Sequence, residues 1–273
     1  MALVRRITIF LLSITSVCFA AFEGWNYLTA DDTLPVISCT TEEIEVSIDA
    51  DEVALLDGVT AWDDKDGDIT ESVYVESISD FIRVGVSNVT YCVVDSDNHV
   101  DKLTRRVIYS DYTSPEISLN APLVLYVGQT FTALDYLGAS DCIDGDITSQ
   151  LSVTSSTVDT TGEGTYELTA KVTNSKGDAV SLTLPVKVLP SEELMASIEL
   201  STYLVYIEVG DSIDPTTYIE SAAGYFGDEI DTDEVSIKSK VDIENEGVYV
   251  VKYTVVDELG YTGTTYLTVV VEE

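Results

Sequence analysis

Asp66-Gly67-Asp68-Ile69-Thr70 and Asp144-Gly145-Asp146-Ile147-Thr148 spell one phrase twice, roughly 80 residues apart, and a phrase repeated at such a spacing marks a tandem array of one small unit. Other segments keep the same period. Pro35-Val36-Ile37-Ser38-Cys39 recurs as Pro115-Glu116-Ile117-Ser118-Leu119 and, without the proline, as Ala196-Ser197-Ile198-Glu199-Leu200. Gly85, Gly164 and Gly247 each lead an alternating run, with Val89, Tyr91 and Val93 matched by Leu168, Ala170 and Val172 and by Val251, Tyr253 and Val255. A turn follows each run at the same offset, starting at Asp95, Asn174 and Asp257. A last apolar run then closes each unit at Arg106 to Tyr109, Pro185 to Val188 and Leu267 to Val271. The alignment yields three units, of which the third writes Gly227-Asp228-Glu229-Ile230-Asp231 in place of the shared phrase.

Each unit reads as β structure. Alternation in Glu43 to Ile48 and Tyr249 to Val255 places one apolar face inward, and Val, Ile, Thr and Tyr dominate these runs. No amphipathic helix is expected after the N-terminus. Short strands separated by Gly, Asp and Asn turns predict an antiparallel β-sandwich of about seven strands per unit. The composition is 45% hydrophobic, which excludes disorder by low hydrophobicity. The formal net charge of -36, from 49 acidic and 13 basic residues, repels phosphate backbones, so no nucleic-acid partner is expected.

Arg5 and Arg6 precede an uncharged stretch from Ile7 to Phe22, and Glu23, Asp31 and Asp32 come after it, the charge order of an export signal with its positive end inside. Those sixteen residues exceed a typical signal core and fall short of the roughly 20 of a full span, which Trp25 and Tyr27 would extend with an interfacial aromatic pair. Residues 1–34 are therefore expected to be a signal sequence or a single-pass membrane anchor with a short stem, retained in preference to cleaved. The remainder then lies on the extracellular face of the plasma membrane, with secretion after cleavage as the alternative. Among the cysteines, Cys18 lies in the apolar stretch and Cys142 in a turn, while Cys39 is expected inward and Cys92 outward. Opposite faces of a pleat make a poor bridge, so all four are read as unpaired.

The Asp-Gly-Asp-Ile-Thr phrase, the glycine-led Val-Thr-Tyr or Thr-Tyr strand, the Asp-Ser or Asn-Ser turn and the final Val-rich strand together resemble the bacterial immunoglobulin-like repeat, a relative of the hyalin repeat. The resemblance covers residues 35 to 273 and weakens in the third unit. It implies an all-β chain of three tandem immunoglobulin-like antiparallel β-sandwiches, at 35–112, 113–190 and 191–273, behind the N-terminal apolar helix. It further implies spacer, adhesion or ligand-presenting roles and no catalytic residues; linkers are expected at Ser110 to Ser114 and Leu189 to Met195.

In such a sandwich two acidic turns emerge at one end. That would gather Asp63, Asp64, Asp66 and Asp68 near Asp95 and Asp97, and Asp141, Asp144 and Asp146 near Asn174. Calcium takes six to eight oxygen ligands, so Asp64, Asp66, Asp68, Asp95, Asp97, Asp141, Asp144 and Asp146 are candidate calcium ligands. Turn chemistry alone also accounts for Asp-Gly and is the favoured reading. His99 is the lone histidine and no cysteine pair has metal-ligand spacing, so no enzyme is read here. Arg105-Arg106 is read as edge protection, and Trp62 as a core or loop-packing residue rather than a sugar platform. The expected function is a non-catalytic surface array for spacing or adhesion. The alternatives are a glycan- or protein-binding module, calcium-dependent or not, and an accessory subunit of a surface complex. An exposed aromatic strip at Trp62, Tyr225 or Phe226 would favour binding.

Overall fold

The computed structural model describes residues 2–29, 33–190 and 195–273; Asp31, Asp32 and most of the second expected linker lie outside the described residues. The chain forms two compact units, Met1–Asp111 and Tyr112–Glu273.

The first unit opens with helix α1 (Ala2–Thr29). Within it Arg5–Trp25 is apolar and long enough to cross a membrane by length and composition, a longer span than the uncharged stretch alone indicated. Phe10, Leu12, Val17, Phe19 and Trp25 are all more than 60% exposed, a surface that water does not favour. The Ser13 and Thr15 hydroxyls donate to the Ile9 and Leu12 carbonyls at 2.9 Å, which satisfies them inside an apolar helix.

The first repeat comprises β1 (Val36–Cys39), β2 (Glu43–Val46), β3 (Val59–Asp63), β4 (Gly67–Asp68), β5 (Tyr74–Ile78), β6 (Val86–Val94) and β7 (Val100–Tyr109). They form two sheets, β1-β3-β4 and β2-β7-β6-β5. All pairings in both sheets are antiparallel except β2 on β7, which is parallel. The chain thus leaves the first sheet after Cys39 and enters the second beside the last strand, a crossing that alternation does not reveal. A short helix α2 (Glu52–Leu55), unforeseen in the sequence, is capped by the Asp51 side chain accepting from the Ala54 N–H.

Val89, Tyr91, Val93 and Val107 are fully buried between the sheets, as their alternation predicts. Each buried aliphatic side chain contributes about 1.5–3 kcal/mol. The Tyr91 hydroxyl donates to the Leu55 carbonyl at 2.6 Å. The reading of Arg105-Arg106 as edge protection is corrected: β7 lies between β2 and β6, and Arg105 occupies an inward position with 5% exposure. Cys92 faces away from Val93 but is buried rather than exposed, because its cross-strand neighbours Tyr74 and Lys102 cover it; all four cysteines are free.

The second unit contains the other two repeats. One is β8 (Glu116–Leu119), β9 (Val124–Tyr126), β10 (Leu137–Asp141), β11 (Gly145–Asp146), β12 (Ser152–Ser156), β13 (Gly164–Thr173) and β14 (Ala179–Leu189), in sheets β11-β10-β8 and β12-β13-β14-β9. The other is β15 (Ser197–Leu200), β16 (Leu204–Glu208), β17 (Ile219–Ala223), β18 (Ser236–Ser239), β19 (Gly247–Val256) and β20 (Thr262–Glu272), in sheets β15-β17 and β16-β20-β19-β18. The pairs β9/β14 and β16/β20 are parallel, as β2/β7 is. Leu204 and Val270 of the third repeat join the core of the second. The Tyr206 hydroxyl donates to the Ile117 carbonyl at 2.9 Å and accepts from the Ile117 N–H at 3.3 Å.

Candidate functional site

The acidic turns do converge in each of the first two repeats, and the residue that draws them together is a serine. Asp66 accepts from the Ser96 N–H at 2.7 Å and from its hydroxyl at 2.8 Å. Asp144 does the same with Ser175 at 2.6 and 2.7 Å. One aspartate therefore clamps the turn after β3 to the turn before β7, and its equivalent clamps the turn after β10 to the turn before β14. Charge-assisted bonds of this kind are the stronger class.

Beneath each clamp sits a buried hub. Asp63, 1% exposed, accepts from the Lys65 and Asp66 N–H groups at 2.9 Å each. Asp141 accepts from Ile143 and Asp144 in the same way, and from the Asn174 side chain at 3.1 Å. Asp95 accepts from the Asp97 and His99 N–H groups and faces the His99 ring at 2.8 Å. Burial pushes the Asp95 carboxyl up, but those hydrogen bonds outweigh it and hold the group below the usual carboxylate range. Asn174 and Asp257 receive matching pairs of N–H groups. The same turn thus appears in all three repeats, with Asn98, Gly177 and Gly260 in the left-handed conformation at its fourth position.

The last aspartate of the phrase ties down the threonine two residues on. Asp68 accepts from Thr70 and Asp146 from Thr148, bonds that lower both carboxyls. The threonine hydroxyls in turn receive the Ala61 and Ala139 N–H groups at 3.0 Å. Asp97 pairs with the Lys65 ammonium, and Asp64 is exposed. Among the described residues no three acidic, histidine or cysteine side chains converge on one point where an ion would sit. Six of the eight candidate calcium ligands instead accept hydrogen bonds from the chain itself, and a seventh faces a lysine.

The third repeat lacks the clamp. Gly227 stands where Asp66 and Asp144 stand, and Glu258 where the serines are, yet the Ile230 N–H still reaches the Ala222 carbonyl as Ile69 reaches Ala61 and Ile147 reaches Ala139. The strand register survives while the turn is rebuilt around aromatic rings. The Tyr225 N–H donates to Asp257, and the Tyr225 ring meets Phe226 at 5.0 Å and Tyr261 at 5.6 Å, both edge-on. Phe226 is 76% and Leu259 63% exposed. Trp62 is also exposed, at 58%, on the outward parity of β3; of the expected core or loop-packing places it takes the second, its ring edge 3.9 Å from where a Gly67 Cβ would stand. The sequence pointed to these aromatics and acids, whereas the two serines, the two threonines and the hub role of Asp63 went unread because their partners lie on other strands.

Residues 115–188 match the family model for the Ig-like domain of bacterial surface proteins. The second repeat belongs to the bacterial immunoglobulin-like family. Over 209 residues the chain is also 32% identical to the pesticidal crystal protein Cry22Aa of Bacillus thuringiensis, an alignment covering 73% of this chain and 28% of that protein. The chain thus spans less than a third of the length of this relative. Among solved structures, a ZmpB fragment from Clostridium perfringens, containing CBM51-2 and INT domains, is 20% identical over 54% of this chain and 26% of its own, with a TM-score of 0.24. The lipoprotein BT2262 from Bacteroides thetaiotaomicron is 14% identical over 56% of this chain and 98% of its own, with a TM-score of 0.23. At such scores the fold rests on the sheets described above. A bacterial surface Ig-like domain and an apolar N-terminal helix together fit an extracellular chain, anchored or secreted.

Proposed function

We propose that this chain is a non-catalytic spacer and adhesion array, held by α1 at the extracellular face of the plasma membrane and built of three modules at 35–112, 113–190 and 191–273. The observation that carries this reading is the closed loop end of the first two repeats. Asp66 and Asp144 accept from Ser96 and Ser175, so the acidic phrase is used to join one turn to the other within each of these repeats. The test is protease shaving of intact cells that express the full chain. Digestion from outside, with residues 2–29 kept in the membrane fraction, is the expected result; a protected, cytosolic chain overturns the proposal.

The aromatic turn of the third repeat favours recognition of a glycan or protein at that end as a second reading. Exposed rings anchored by neighbouring rings are the residues on which interfaces concentrate their energy. Phe226→Ala in the full chain should lower binding to bacterial or host surfaces at least tenfold without changing its melting temperature. Unchanged binding would remove this reading and leave the stalk.

A further inference from the structure

The outer face of sheet β1-β3-β4 carries large apolar side chains that its counterparts in the other repeats lack. Leu34, Val36 and Trp62 are 63%, 57% and 58% exposed. Val36 and Trp62 stand opposite each other in the register of β1 and β3, and Leu34 shares the outward parity of Val36, with Pro35 buried between them. The second repeat places Ser114, Glu116 and Ser140 at these positions, with Glu116 opposite Ser140. The third places Met195, Ser197 and Ala223 there, with Ser197 opposite Ala223, and its Met195 lines a cleft with Tyr126 and Leu189 of the second repeat. The same sandwich thus forms around polar or small residues at Val36 and Trp62, so its packing does not require the apolar pair. Exposed apolar side chains grouped on one face mark an interaction surface.

What covers this face follows from its place along the chain, since the first repeat is the one next to α1. The 21 residues Arg5–Trp25 rise about 31 Å at 1.5 Å each, the thickness of a bilayer's hydrocarbon core. Trp25 then lies at the core boundary, and the helix end at Thr29 about 6 Å farther out, among the headgroups. Leu34 is five residues beyond Thr29, and a chain reaches at most about 3.6 Å per residue, so Leu34 stands within about 18 Å of the helix end by any path. A patch held so close meets the membrane at the high effective concentration of a tethered partner, so a few side chains suffice. Tryptophan suits this layer because its ring is apolar and its N–H polar. Asp68 stands opposite Trp62 on β4 and Asp64 follows it by two residues, both exposed, which matches the face to an uncharged headgroup layer rather than an anionic one.

We infer that the first repeat docks on the membrane that α1 crosses, with Trp62, Val36 and Leu34 set into the lipid–water interface. This rests on the anchoring by α1 proposed above and adds an orientation to it: the first sandwich lies against the bilayer by this face instead of swinging on its tether.

The test uses the full chain reconstituted in phosphatidylcholine vesicles. Trp25→Phe leaves Trp62 as the one tryptophan, and Trp62→Phe leaves Trp25. Flotation with the vesicles and quenching of Trp25 by brominated acyl chains read the anchor, whereas quenching of Trp62 by the same lipid reads the docking. Trp62 is expected to be quenched by brominated lipid, and its quenching by aqueous acrylamide to be at least threefold weaker than after Leu34→Ser and Val36→Glu are introduced together. That double change installs the residues of the second repeat; it should keep the melting temperature and abolish lipid quenching of Trp62 while Trp25 stays quenched. A floating chain with Trp25 in lipid but Trp62 open to acrylamide overturns the docking and leaves the anchor standing. A Trp62 shielded from acrylamide and from brominated lipid alike overturns it in favour of a second copy of the chain on this face. Failure to float overturns the anchor, and the docking with it.

Discussion

Asp66 and Ser96 stand 30 residues apart, yet they close one end of the first sandwich through two hydrogen bonds from a single serine. If the clamp is a unit, its members couple. Asp66→Ala should destabilise the full chain by about 1 kcal/mol, and most of that loss should vanish when Ser96 is already alanine, because the cycle isolates the shared bonds. Asp63→Ala should be worse, roughly 2 kcal/mol, since it removes a buried carboxylate that receives two part-buried N–H groups. Denaturant unfolding of these variants measures both; additive losses at Asp66 and Ser96 would mean the clamp contributes nothing. At this scale the sequence was half legible. Asp-Gly announces a turn by itself, since Gly67 and Gly145 take the left-handed conformation there. The serine that completes the clamp has no local signature, and Arg105 misleads, because its residue type argues for solvent while its parity argues for the core.

At the scale of elements, strands and register were readable because alternation and turn glycines are local properties of the chain. The parallel pairs β2/β7, β9/β14 and β16/β20 were not, since nothing within a strand names its neighbour. The same holds for the contact of β16 with β8, where the Tyr206 hydroxyl engages both polar groups of Ile117. Burial pushes that phenol up to about 12, ahead of the opposing pull of the Ile117 bond. A phenol raised in the fold contributes stability that is fully present below its unfolded value near 10 and is lost as pH rises through about 12. Tyr206→Phe should therefore lower stability by about 1–2 kcal/mol at neutral pH and flatten part of the alkaline fall between pH 10 and 12. Melting curves across that range decide it; an unaltered alkaline limb would assign the fall to Tyr112 and Tyr253, whose phenols burial also raises.

For the whole molecule, a net charge of -36 sets the response to salt and acid. Self-repulsion weakens the compact state, so stability should rise with ionic strength and with mild acidification as exposed carboxylates take up protons. Asp68, Asp95, Asp146 and Asp257 work the other way. Their folded values are lowered, so the stability they add is present above the unfolded value near 3.9 and is lost as pH falls through the folded values. The melting temperature should accordingly pass through a maximum between about pH 4 and 6 and drop below it. Calcium must be judged against this background: any divalent cation screens such a chain, and the expected result is that calcium and magnesium at equal ionic strength raise the melting temperature alike. A calcium-specific rise abolished by Asp66→Ala would restore a metal role to the acidic turns.

The parallel pairing of the strand after each crossing with the closing strand also has a mechanical side. Tension applied through the two ends of a repeat pulls these neighbours along their length in opposite directions, so their bonds share the load instead of opening one by one. Four residue pairs join β2 to β7, three join β9 to β14 and five join β16 to β20. Under steady pull, where survival is set by the rate of unfolding, the second repeat should yield first and the third last.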